Sequence, residues 1–184
     1  MFTRLAVDEI APTYLVVARL FLASILLGPI FIRKKDLVLM SKEIPSILIL
    51  GIINAALPFF LFAYAAQDLS AGMLSILNGT SPLFALIIAI TWFRQNTTLM
   101  QIFGLGLGFI GLLVFIGIDQ LTFIFYPVLL CLIGAFCYAY SNNILFKLNH
   151  IKSAALASVT MISGFFFSLP LIFLEPTNFS LDLS

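Results

Sequence analysis

Two Asn/Pro pairs and one arginine are the residues in this sequence that could do chemistry inside an apolar environment. Asn54 stands four residues before Pro58, and Asn78 four before Pro82, each pair within a long apolar run. In a helix, proline lacks an N–H and clashes with the carbonyl four residues back. In both runs that orphaned carbonyl therefore belongs to an asparagine, and in lipid it must find a partner inside the protein or in a water-filled cavity. Arg19 is the one charge placed inside an apolar run. An intramembrane arginine costs at least ~2.5 kcal/mol and by default marks a paired or functional position. The chemistry these residues offer is recognition. Arg19 would bind a carboxylate or phosphate, Asn54, Asn78 and Ser81 would supply neutral hydrogen bonds, and Pro58 and Pro82 would act as hinges or shape a cavity.

Each assignment has a plainer counterpart. The Arg19 stem could snorkel outward to the headgroups. Asparagine can serve only as interhelical glue, and proline is more frequent in membrane helices than in soluble ones. Tyr138 joins the candidate binding set from a later apolar run, whereas tyrosine near an interface is usually an anchor.

The elements that must position these side chains are transmembrane helices. The chain has 184 residues, 62% of them hydrophobic and 9% charged, with a mean hydropathy of +1.17; a soluble domain carries roughly 45–50% apolar and 25% charged residues. Six spans of about 20 residues, enough to cross ~30 Å of hydrocarbon, are expected at Ala11–Ile32, Pro45–Ala66, Ala71–Phe93, Leu99–Ile118, Phe123–Phe146 and Ser153–Leu174. The predicted class is all-α, a polytopic membrane helix bundle with short connections. Arg33, Lys34, Lys35, Lys42, Arg94, Lys147 and Lys152 fall on one side and only Arg4 on the other, which makes the first side cytoplasmic. Counting 1.5 Å per residue puts Arg19, Pro58 and Asn78 in one layer ~10–12 Å below the outer surface. Asn54 and Pro82 fall ~16–18 Å deep, near the midplane, so the second and third spans are expected to face one shared cavity.

Several function classes are disfavoured. A net charge of +1 provides no basic patch for nucleic acid. Cys131 and Cys137 lie in an apolar run without a ligand cluster, so no metal is expected and the thiols read as structural. The sequence Gly106-Leu107-Gly108-Phe109-Ile110-Gly111 matches GxGxxG, but it lies inside an apolar 20-mer with no preceding strand. Gly104, Gly108 and Gly111 instead share one helix face, as a strip for close packing against the third span or in a dimer seam. A lone loop histidine, His150, and the lack of an acid within the spans argue against an intramembrane enzyme. No cofactor is expected. Of the glycosylation sequons at Asn78, Asn96 and Asn178, only Asn178 would be usable on this topology.

Sliding the chain by 141 residues lays the sixth span on the first, with Pro170 on Pro29 and Gly164 on Ala23. Such internal repeats characterise secondary transporters. The ordered features PTYLVVARLFLAS, LPFFLFAYAAQDLSAGMLSILNGTSPLFALIIA and QIFGLGLGFIGLLVFIG resemble the EamA-type domain of the drug/metabolite transporter superfamily, over about Pro12 to Gly117. The resemblance implies a ten-helix carrier of two inverted five-helix repeats. Residues 1–118 would be a first repeat lacking its opening helix, and residues 119–184 the start of a second. The expected partners are a small-molecule substrate, the lipid bilayer, and either missing helices of the same parent chain or a dimer partner. Relatives commonly have Glu in the turn before the Gly-rich helix, where this chain has Gln95. The expectation is an alternating-access carrier of a small organic metabolite, amino-acid-like or another polar solute, in the cytoplasmic membrane. The alternative is a structural or sensory helix bundle.

Overall fold

The computed structural model describes residues 11–32, 34–92, 94, 97–116 and 124–173; Arg4, Arg33, Gln95, Asn96 and Asn178 lie outside them. Its helices are α1 (Pro12–Phe31), α2 (Lys34–Met40), α3 (Ile44–Leu50), a π-helical segment (Gly51–Ala56), α4 (Leu57–Ala65), α5 (Ala71–Asn78), α6 (Ser81–Thr91), α7 (Leu99–Ile116), α8 (Phe125–Lys147) and α9 (Ser153–Ile172). Five described helical stretches are long and apolar enough to cross a membrane: Pro12–Ile30, Ile44–Ala65, Ala71–Thr91, Phe125–Lys147 and Ser153–Ile172. The chain is a multi-pass integral membrane protein of all-helical class. The fourth expected span is helical, but its described apolar stretch, Leu99–Gly111, is shorter than the others. The short α2, in the loop after the first span, was not expected from the sequence.

Local chemistry sets the helix starts. Pro12, Pro45 and Pro82 each occupy one of the first two positions of a helix, where a missing N–H costs little; Pro58 lies inside the continuous second span, where the π segment passes into α4. Ser70 caps α5 by accepting the Met73 N–H at 3.2 Å. Thr98 and Gln101 form a reciprocal capping box at the start of α7, with the Thr98 N–H donating to Gln101 Oε1 at 2.9 Å.

The two Asn/Pro pairs resolve the same backbone problem differently. At Pro58 the helix widens into the π segment, so that the Leu57 N–H reaches back to the Ile52 carbonyl, five residues away. π-Bulges of this kind commonly mark functional sites. At Pro82 the helix instead breaks at Gly79–Thr80. There the Ser81 hydroxyl donates to the Asn78 carbonyl at 2.7 Å, and the Thr80 hydroxyl to the Leu77 carbonyl at 2.6 Å. The orphaned Asn78 carbonyl finds its partner one turn away.

Packing follows the small residues. α9 lies along α1 and crosses the π segment, where Gly51 meets Ser163 and Gly164. A Cβ on Gly164 would stand 2.9 Å from the Ala55 Cβ and 3.0 Å from the Gly51 carbonyl oxygen, so the two backbones touch as in a small-residue membrane crossing. α8 inserts between the second and third spans, packing on α4 on one side and on α5 and α6 on the other. The expected direct pairing of those spans is thereby corrected. The wedge is the row Cys131, Ala135 and Ala139, each fully buried, joined by Gly134, whose Cβ position lies 3.0 Å from the Phe62 ring. Phe84 meets Phe136 edge-on at 5.9 Å across the other side. At the α2 end, Met40, Ile47, Leu50, Leu148, Ile151 and Leu156 form one buried cluster.

Candidate substrate site

The π segment, α1 and α8 bring a small polar group together. Asn54, half-buried on the π segment, accepts a hydrogen bond through Oδ1 from the Ser141 hydroxyl at 2.7 Å. The same hydroxyl lies 2.8 Å from the Tyr138 carbonyl oxygen. The Tyr138 ring stacks on Phe62 with centroids 6.2 Å apart. Arg19 reaches across from α1, its guanidinium carbon 4.4 Å from the centre of the Phe59 ring. Arg19 is exposed. A cation over a π-face gains ~0.5–1 kcal/mol at exposed sites and ~2 or more once desolvated. That holds the guanidinium in place and leaves its N–H donors free for a ligand. One turn from the top of α1, Thr13 and the Tyr64 hydroxyl are 3.1 Å apart, tying the first two spans above this group.

The arrangement can bind, and it offers little else. A permanent cation, an asparagine amide, a phenol and two aromatic faces are groups able to pair with a polar solute that carries a negative charge. Among the described residues no group of three or more His, Cys, Asp or Glu could hold a metal ion. Cys131 and Cys137 are free thiols, six residues apart on one helix. Residues 1–117 match the EamA-like transporter family. The chain belongs to this family. No curated protein and no solved structure matches it.

Within this EamA-like chain the sequence candidates separate into two groups. Arg19, Asn54 and Tyr138 sit around the α1–π–α8 junction, with Pro58 fully buried beside them. Asn78 and Pro82 are exposed on the third span, on the far side of α8. The Ser81 hydroxyl is used locally as a backbone cap. The shared cavity expected between the second and third spans is replaced by helix α8. Gly104, Gly108 and Gly111 are exposed, and a Cβ on any of them would meet nothing within 4 Å. The α7 contact with the third span does not run through that strip. Sequence reasoning missed Ser141, Phe59 and Phe62. A signal for Ser141 was present, since it lies two helical turns after Gly134 on one face of α8. The aromatic pair carried none, being two of 20 phenylalanines.

Proposed function

We propose that this EamA-like chain is a secondary carrier of a small anionic or zwitterionic solute, amino-acid-like in size. It would work by alternating access in the cytoplasmic membrane, with its Lys-rich loops inside. The observation that carries the reading is Arg19: a guanidinium lodged over Phe59 within a membrane span, in a chain whose spans contain no acid to neutralise it. A ligand carboxylate or phosphate is the counter-charge such a position calls for. Asn54 and Tyr138 add orienting hydrogen bonds, and the π segment ahead of Pro58 is the natural point for the second span to flex. A second reading has one observation in its favour. Asn54 is already bonded to Ser141, as glue in a purely structural bundle would be.

The repeat reading has support of its own. α1 and α9 are both 20 residues long, and an offset of 141 carries Pro12–Phe31 onto Ser153–Ile172 end for end, with Pro29 on Pro170. On this reading residues 119–184 open a second repeat inverted with respect to the first. Further helices of the same chain, or a second copy, would cover the exposed Arg19 face.

The test is counterflow in proteoliposomes holding the full chain, with a panel of radiolabelled amino acids and small carboxylates. Arg19→Gln is expected to lower flux about tenfold or more, the worth of a charge-assisted hydrogen bond, while the melting temperature stays unchanged. Asn54→Ala should lower both flux and stability, and Asn78→Ala neither. Equal flux in wild type and Arg19→Gln would refute the carrier site, whereas lowered stability with full flux in Asn54→Ala would favour the structural reading.

A further inference from the structure

A pocket of about 360 Å³ opens between the start of the second span and α9, lined by Met40, Ile44, Leu48, Val159, Ile162 and Phe166 among others. It lies away from the Arg19 group. Its walls are almost wholly apolar, and Ile44, Leu48 and Phe166 are exposed along it. The mouth is at the α2–α3 turn, where Ser41 joins the lining and the exposed Lys42 follows. Along α9 the lining runs from Val159 to Phe166, ~10 Å at 1.5 Å per residue, which lies within one leaflet of a ~30 Å hydrocarbon core. At ~30 Å³ per water-sized group, the volume holds roughly a dozen methylenes. A helix ~10 Å across needs roughly 800 Å³ over the same length, so the volume suits a single chain-like occupant.

Charge at the mouth specifies the head. Lys42 is exposed there, and Lys152, also exposed, precedes α9. The neighbouring Glu43 is half-buried, and its carboxylate accepts from the Ser46 hydroxyl at 3.4 Å. Basic side chains at a helix-end interface attract anionic lipid heads, each contributing about fivefold in affinity. We propose that this pocket binds one acyl chain of an anionic phospholipid from the leaflet on the Lys-rich side, its phosphate held by Lys42. The proposal rests on the membrane placement of that end and is independent of what the chain transports.

The full chain is released from nanodiscs of equal dioleoyl-phosphatidylglycerol and dioleoyl-phosphatidylcholine, and retained lipid is counted by native mass spectrometry. One phosphatidylglycerol should be kept in preference to phosphatidylcholine by about fivefold or more. Lys42→Gln should bring that ratio close to one, and Leu48→Trp, which fills the pocket from a half-exposed wall, should remove retention of both lipids. Equal retention by the wild type overturns the proposal, because it describes annular lipid only. So does a folded Leu48→Trp protein that keeps phosphatidylglycerol like wild type. Should Leu48→Trp fail to fold by circular dichroism, Lys42→Gln decides: a preserved preference refutes the site and a lost one supports it.

Discussion

The crossing of α9 over the π segment can be probed with a single methyl group. A Cβ added to Gly51 would run into the Ser163 hydroxyl, lie 2.5 Å from the Ser163 Cβ and stand 2.9 Å from the Gly164 backbone nitrogen. Two of those three obstacles belong to one side chain and the third to the backbone, so rotamer changes alone cannot clear them. Overpacking of a tight contact costs typically ~1–3 kcal/mol. With backbone involved, Gly51→Ala should fall in the upper part of that range, about 2–3 kcal/mol. Ser163 itself is a buried hydroxyl without a hydrogen-bond partner among the described residues, a state that costs ~1–3 kcal/mol. Ser163→Ala should therefore be neutral or stabilising. Gly51→Ala combined with Ser163→Gly should recover roughly half of the loss, because only the Gly164 nitrogen is then still in the way. Thermal or denaturant unfolding of wild type, Gly51→Ala, Ser163→Gly and the double variant in one detergent gives the coupling energy as a double-mutant cycle. Strictly additive effects, or a Gly51→Ala protein as stable as wild type, would refute the crossing.

Two further outcomes test the packing order. Ala135→Leu puts three carbons into the fully buried row of α8 and should destabilise the bundle by ~1–3 kcal/mol, seen as a lowered melting temperature. Gly108→Leu adds four carbons to the α7 strip, where nothing lies within 4 Å. It should leave the melting temperature unchanged and alter only the oligomeric state measured by light scattering, if copies meet there.

Much of the fold was legible because the bilayer leaves few choices. Backbone groups in hydrocarbon must pair within their own helix, so length and hydropathy were enough to place five of the six expected spans to within two residues. Orphaned carbonyls at Asn54 and Asn78 were also foreseeable, since proline's missing N–H is a covalent fact. How each was answered was not. Ser81 is near enough in sequence to cap Asn78, whereas the second span shifted to π-helical pairing, and nothing in LPFF announces that choice. Residues in one depth layer were likewise readable, but depth says nothing about which helices are neighbours. Two small-residue rows with helical spacing illustrate this. Gly104-Gly108-Gly111 faces open space among the described residues, while Cys131-Ala135-Ala139 became the wedge of the bundle.

By itself, then, the sequence determined what is local or set by solvent: the helical class, five of the spans, and an arginine inside one of them. The tertiary structure decided what depends on shape. It placed α8 between the second and third spans, moved Asn78 away from Arg19, and gave Arg19 the ring of Phe59 as its neighbour. The physical reason is that lipid is as apolar as the side chains facing it. With no hydrophobic gain separating one helix pairing from another, steric fit and a few hydrogen bonds choose the neighbours, and fit is a property of whole surfaces.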